Sequence, residues 1–168
     1  RLVVPVDERG QGLLLDFTVG LMIFLVAWFY LGSQFDSKLA AASKENETGI
    51  MKLRADFALD TLVKTRGGPQ DWETGDINSL VFPGLAQRDR ELSQAKLSAF
   101  SNMSSGYSQL KDRMGIGEYD FFFSYKGGAD VNAGLEPQGN ATIVAVQRAV
   151  SYNGNIGTAT LKVYRLEN

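Results

Sequence analysis

The chain has 168 residues, with 17 basic and 19 acidic side chains and a formal net charge of −2. Because this charge is small and the basic residues are scattered, we predict no nucleic-acid partner. The sequence contains neither cysteine nor histidine, which excludes thiol nucleophiles, histidine-based triads and the usual zinc sites. We therefore predict no enzymatic activity, no cofactor and no small-molecule substrate.

A long apolar run lies near the start of the chain. From Phe17 to Gly32 no side chain is charged, and Asp16 lies directly before the run. As a helix the run is about 24 Å long, or about 30 Å with its flanks, which is just enough to span a bilayer. Large side chains cover its whole circumference, so something apolar must surround it, either lipid or a bundle of identical helices.

Two residues of this region carry alternative interpretations. A carboxylate at membrane depth is costly, which favours a functional role for Asp16, but near the end of the run it could instead reach the headgroup region. Gly20 could let helices approach closely, although isolated glycines are common in membrane helices without that role.

The predicted elements divide the chain into four parts. These are an N-terminal extension or leader remnant (1–10), a hydrophobic helix (11–34), a continuation of that helix which packs on the head (35–66) and an extracellular head (67–168).

Good helix formers continue to Lys64, and Gly49 is the only hint of a break before that residue. Gly67, Gly68 and Pro69 are predicted to end the helix. Further helices are predicted over 90–100 and 108–114.

The last third of the chain changes to a two-residue period. Alternation over 119–126 predicts an aromatic strand that belongs to the core rather than to a ligand-binding surface. β-Branched residues predict strands over 142–152 and 158–166, joined by a hairpin at Asn153-Gly154-Asn155. The Gly-rich stretch 127–139 predicts a surface loop. The sheet is therefore predicted to be small and antiparallel.

Two groups of carboxylates could have a chemical role. Asp71, Glu73 and Asp76 offer oxygen ligands for Ca²⁺, but a solvated turn is the preferred interpretation. Asp56 and Asp60, one helical turn apart, could mimic a catalytic pair.

For this second group we prefer an exposed helix face, on which Lys52 and Lys64 lie four residues to either side of the two aspartates.

Three N-x-S/T sequons begin at Asn46, Asn102 and Asn140. Each lies in sequence that we expect to be polar or in a loop. We predict that at least one is glycosylated if the head is exported.

The residues around the apolar run form a recognisable pattern, which consists of Arg9-Gly10-Gln11, Asp16-Phe17, Gly20 and Ile23-Phe24-Leu25. It resembles the archaeal type IV pilin-like proteins with class III signal peptides. Stretches of the head are similar to the same family, namely Leu62-Val63, Thr65, Gly67, Pro69, Trp72, Gly84-Leu85-Ala86, Leu92, Lys96-Leu97, Gly115-Ile116 and Tyr119-Asp120-Phe121.

The resemblance implies an α+β lollipop, in which a long hydrophobic helix carries a globular head with a small antiparallel sheet and short helices. It also implies that a prepilin peptidase-like enzyme cuts between Gly10 and Gln11. In the family, the acidic side chain of one subunit then neutralises the new N-terminal amine of its neighbour. By the resemblance, Asp16 supplies the acid and Gln11 supplies the amine. Asp16 is sixth from Gln11, whereas the family's acid is usually fifth. Because the chain still contains residues 1–10, either Gly10 is not cut or a cut lies before Arg1.

The resulting hypothesis is a structural subunit of an extracellular pilus-like filament, with a role in adhesion at the cell surface. The subunit is held in the membrane before assembly and then forms a homopolymer. The residues expected to mediate assembly are Gln11, Asp16, Phe17, Gly20, Phe24 and Trp28. The alternative is a single-pass, membrane-anchored binding module or minor pilin.

Overall fold

The structure is a computed structural model that describes residues 8–167, with the side chains of residues 14–35, 38–39, 42–103 and 106–167. Residues 1–7 of the predicted N-terminal extension therefore lie outside the described residues. The chain divides after Glu45 into two compact units, which are described separately. Its elements are those of an α+β protein.

Helix α1 runs from Glu8 to Lys64 and supplies the first unit and the start of the second. The predicted continuation of the helix past Gly49 is confirmed, since α1 is unbroken there and one glycine costs a helix only about 1 kcal/mol. The predicted end is confirmed. Gly67, three residues beyond the last helical residue, has a φ of +87°, a conformation that favours glycine.

The short helices all belong to the second unit. Helix α2 is Gln94–Asn102 and helix α3 is Tyr107–Arg113. The prediction over 108–114 is confirmed to within one residue, whereas the one over 90–100 began too early because Glu91 and Leu92 form a strand. The remaining helical turns are of the 3₁₀ type and comprise Trp72–Thr74, Ile77–Ser79 and Met103–Gly106.

Six strands form one sheet in the order β1-β2-β5-β6-β3-β4. They are β1 Ala86–Arg88, β2 Glu91–Leu92, β3 Asp120–Gly127, β4 Ala129–Gly134, β5 Ala141–Tyr152 and β6 Asn155–Leu166. The predicted antiparallel sheet is wrong at one pair, because β2 runs parallel to β5. A strand of two residues has no alternation that a sequence pattern can detect.

The predicted loop over 127–139 is also partly wrong, because β4 lies within it and pairs with β3. Ala129, Val131 and Ala133 alternate with more exposed neighbours and contact the core. The high glycine content of this stretch favoured a loop, so the alternation was not recognised in the sequence. The predicted β5–β6 hairpin is confirmed, since Asn153 and Gly154 both have positive φ, as the tight turns of such hairpins require.

The core of the second unit lies between one face of the sheet and the helices. The aromatic strand is part of it, as predicted, through Phe121, Phe123 and Tyr125, while the intervening side chains are half-buried. The other elements contribute mainly aliphatic side chains, among them Met51, Leu59 and Leu62 of α1, Leu97 of α2, Val146 and Val150 of β5, and Leu161 and Val163 of β6.

Gly84 marks a close approach between two backbone segments. A Cβ atom at this position would lie 2.2 Å from the amide nitrogen of Gly67 and 2.5 Å from the carbonyl oxygen of Thr65. The segment cannot easily move away, because the Leu85 amide donates to the Leu62 carbonyl at 2.7 Å.

We expect Gly84→Ala to lower the free energy of unfolding of the second unit by about 2–3 kcal/mol, measured by urea denaturation. Gly115→Ala is the control. Gly115 has a φ of +73° but no atom within 4 Å of the added Cβ, so only backbone strain of about 1 kcal/mol remains. Equal losses in the two variants would contradict the role given to the close approach.

Candidate functional site

The strongest candidate for a functional site is the apolar surface of α1 in the first unit. The segment Leu14–Phe35 has 22 residues and a mean hydropathy of 2.1, and none of it is buried. Its large apolar side chains are all exposed, from 44% at Leu21 to 81% at Phe29. A helix of this length and composition can cross a membrane, and a signal sequence has the same properties.

The polar side chains of this segment differ in whether the helix itself supplies their hydrogen-bond partners. The Thr18 hydroxyl donates to the Leu14 carbonyl at 2.7 Å, and the Ser33 hydroxyl donates to the Tyr30 carbonyl at 2.8 Å. These groups are satisfied by the helix itself, as apolar surroundings demand. Asp16 is the one charged residue of the segment, and its side chain is exposed.

Four of the residues predicted to mediate assembly lie along one face of α1. Phe17, Gly20, Phe24 and Trp28 follow one another at spacings of three or four residues, and all are exposed. The ring centroids of Phe24 and Trp28 are 6.0 Å apart, and nothing lies within 4 Å of a Cβ built on Gly20. This face is therefore open to a neighbouring helix.

The structure describes only the backbone of the predicted processing residues. Gly10 and Gln11 lie within helix α1, and the described side chains begin at Leu14. The three sequon asparagines are all exposed: Asn46 lies in α1, Asn102 ends α2 and Asn140 precedes β5. Each can be reached by a modifying enzyme, and their glycosylation remains a prediction.

The three carboxylates of the acidic turn, Asp71, Glu73 and Asp76, do not form one cluster. Asp76 accepts from the Asn78 side chain at 2.8 Å, and this hydrogen bond is the main reason why the pKa of Asp76 is lowered. Glu73 instead lies 3.5 Å from Lys96, and Asp71 is exposed. Among residues 8–167 as described, no three acidic, histidine or cysteine side chains are placed to hold a metal ion.

Asp56 and Asp60 bind an arginine that the sequence analysis missed. Arg148 of β5 donates to Asp56 at 2.9 Å and to Asp60 at 2.8 Å, while Lys64 donates to Asp60 at 2.7 Å as predicted. The carboxylates therefore attach the sheet to α1.

A signal for this contact exists in the sequence. Arg148 alternates with Val146 and Val150, whose side chains are buried. A charged residue at a core-facing position needs a charged partner.

These contacts predict an acid-sensitive contribution to stability. The hydrogen bond from Lys64, opposed by burial and assisted by Arg148, lowers the pKa of Asp60. A carboxylate with a lowered folded-state pKa stabilises the fold above its unfolded pKa of about 4, and the contribution is lost as pH falls through the folded pKa.

We expect Asp60→Asn to reduce the fall in unfolding free energy below about pH 4, by at most about 1 kcal/mol because the site is partly exposed. Urea denaturation between pH 7 and pH 2 measures the effect. Parallel curves for the two proteins would contradict the assignment.

Lys96 is a buried cation, 5% exposed, that the sequence analysis treated as part of a weakly amphipathic helix. Its ammonium donates to the backbone carbonyls of Arg66 and Gln70 beside Glu73. These contacts join α2 to the segment after α1. Its spacing of four residues from the buried Phe100 on the same helix is the signal that could have identified it.

Comparisons with protein-family models, with curated proteins and with solved structures found no match. What the fold and the site define is an α+β protein whose N-terminal helix is long and apolar enough to serve as a membrane anchor or signal sequence.

Proposed function

We propose that this protein is a structural subunit of an extracellular, type IV pilus-like filament, which polymerises through the apolar part of α1. One observation carries the proposal: the segment Leu14–Phe35 is apolar on every side and entirely exposed. Burying one large apolar side chain is worth about 1.5–3 kcal/mol. Covering the whole segment, in lipid or in a filament, is therefore worth roughly tens of kcal/mol relative to exposure to water, before ordering costs are subtracted.

The apolar surface has a cover at both stages of the proposed pathway. Before assembly the helix lies in the membrane, and afterwards it lies against the helices of sister subunits. Asp16 lies near the N-terminal end of the segment, where it can stay close to the headgroups in the membrane. By the family resemblance it then pairs with the amine at Gln11 of a neighbour, after a prepilin peptidase-like enzyme has cut at Gly10.

The second unit faces solvent in this arrangement. Its three exposed sequon asparagines would present glycans at the filament surface, and other exposed residues would determine attachment to other surfaces. The chain itself performs no chemical step, which agrees with a sequence that has no histidine and no cysteine.

Sheared cell-surface material tests the proposal when it is viewed by negative stain and identified by peptide mass spectrometry. We expect helical filaments composed of this polypeptide. N-terminal sequencing of the same material shows whether Gln11 begins the mature chain. A sheared fraction free of the polypeptide, with all of it in the membrane as a detergent-soluble monomer, would contradict the proposal.

That second outcome belongs to the alternative, a membrane-anchored extracellular binding module or minor pilin. It is favoured by the single apolar segment, because one helix of 22 residues is completely covered by lipid without any partner protein.

A further inference from the structure

The second unit contains an apolar groove that its own core does not fill. It lies between α1, the segment before β1 and the turn after α3, and it encloses about 420 Å³. The residues that form its apolar lining include Phe57, Ala58, Leu62, Phe82, Pro83 and Met114.

The groove offers little to a polar ligand. Thr61 and Thr65 also line it, but their hydroxyls already donate to backbone carbonyls of α1, at 2.9 Å and 2.7 Å. Its charged lining residues are the neighbours Asp112 and Arg113, both exposed and of opposite sign. An occupant that fits this lining is apolar.

Exposed apolar side chains lie in the lining of the groove and next to it in sequence. Leu53 and Phe57, one helical turn apart, are 72% and 68% exposed, and Val81 is 62% exposed. Leu53 lies one helical turn before the lining residue Phe57, and Val81 directly precedes the lining residue Phe82. Leu53, Phe57 and Val81, which we call the exposed patch, therefore line or adjoin the groove.

We propose that this groove receives the apolar helix, Leu14–Phe35, of a second copy of the chain. This inference rests on the proposed function and names the surface of the second unit that takes part in assembly. The same chain carries an uncovered apolar helix and an uncovered apolar groove, and an apolar helix laid in a groove is a recurrent mode of recognition. The volume suits one or two aromatic side chains of such a helix, since a cavity of about 150 Å³ already admits benzene.

The geometry of such a contact agrees with a filament. The helix and the groove are different surfaces, so the contact between copies is heterologous. A heterologous contact that does not close into a ring propagates as a helical polymer. One such interface buries part of the apolar helix of one subunit and the exposed patch of the next subunit.

Disulfide crosslinking tests this contact directly, because the chain has no cysteine of its own. Thr61→Cys places a thiol in the groove, and it is combined with one cysteine at a time at Leu21, Phe24, Leu25 or Trp28. Gln147→Cys, exposed on β5, replaces the groove cysteine as the matched control. We expect intermolecular disulfides in assembled filaments with Thr61→Cys, at helix positions that share one face, and none with Gln147→Cys.

Each other outcome has a defined meaning. Filaments in which the groove cysteine forms no crosslink to the helix would overturn this inference and leave the proposed function intact. Wild-type protein that never assembles would overturn the proposed function and this inference with it. Protection of the Thr61→Cys thiol from a water-soluble maleimide in unassembled, membrane-held protein would assign the groove to lipid and also overturn the inference.

A substitution in the patch gives an independent measurement. Phe57→Lys should cause loss of filaments while the thermal unfolding midpoint of the second unit is unchanged, because Phe57 is mostly exposed. Phe57→Leu is the control and should still assemble. Normal filaments of Phe57→Lys would contradict the proposed contact.

Discussion

Leu25→Arg should abolish filaments and lower the equilibrium constant for membrane insertion of the protein about 100-fold. Leu25 lies near the centre of Leu14–Phe35 and is 54% exposed, so its side chain is available to the lipid or helices that we propose to surround it. Arginine at the centre of a membrane helix costs about 3 kcal/mol, which corresponds to a factor of about 100 in an equilibrium constant. Flotation on a density gradient measures the membrane fraction, and negative stain measures assembly.

Two controls distinguish this effect from a general loss of the protein. Leu25→Met keeps the volume and apolar character of the side chain, so it should leave both measurements unchanged. Thr158→Arg adds the same charge at an exposed position of β6 and should also have no effect. Filaments of normal appearance from Leu25→Arg would mean that assembly does not depend on the apolar segment.

Trp72→Ala should destabilise the second unit by about 3–5 kcal/mol, because a large buried side chain is lost and a cavity remains. Trp72 is 1% exposed, and its indole nitrogen donates to the Gly84 carbonyl at 2.9 Å. Its ring also lies against Gly67, where a Cβ atom would come within 2.5 Å of it. The loss is a large fraction of the roughly 5–15 kcal/mol that stabilises a whole domain, so we expect the second unit to unfold at a much lower urea concentration.

Trp72→Phe separates packing from hydrogen bonding. Phenylalanine retains most of the ring but leaves the buried Gly84 carbonyl without its donor, at a cost of about 1–3 kcal/mol. Urea denaturation, followed by circular dichroism, orders the three proteins. A Trp72→Ala protein as stable as the wild type would show that the residue does not hold the segment after α1 in place.

The sequence was sufficient to predict elements whose signal is local. Composition alone identifies the apolar segment, the two-residue period of large aromatic side chains identifies β3, and Asn153-Gly154 identifies the β5–β6 hairpin. Short strands carry no such signal. Strand β2 has two residues, and the glycines around β4 suggested a loop instead.

Contacts between distant parts of the chain could not be predicted in the same way. The pairing of Arg148 with Asp56 joins residues 92 positions apart, and it becomes visible only when β5 is placed against α1. The groove likewise combines three segments that are separate in sequence. Sequence patterns report which residues are core-facing, but they do not report which of them meet.

The central claim is that the apolar segment of each copy packs against other copies once the protein leaves the membrane. A nitroxide spin label on Leu25→Cys tests it, because packed helices lie about 8–10 Å apart. In sheared, assembled material we expect dipolar broadening of the electron paramagnetic resonance spectrum, which disappears when labelled subunits are diluted with unlabelled ones. A spectrum of isolated labels in undiluted filaments would contradict the claim.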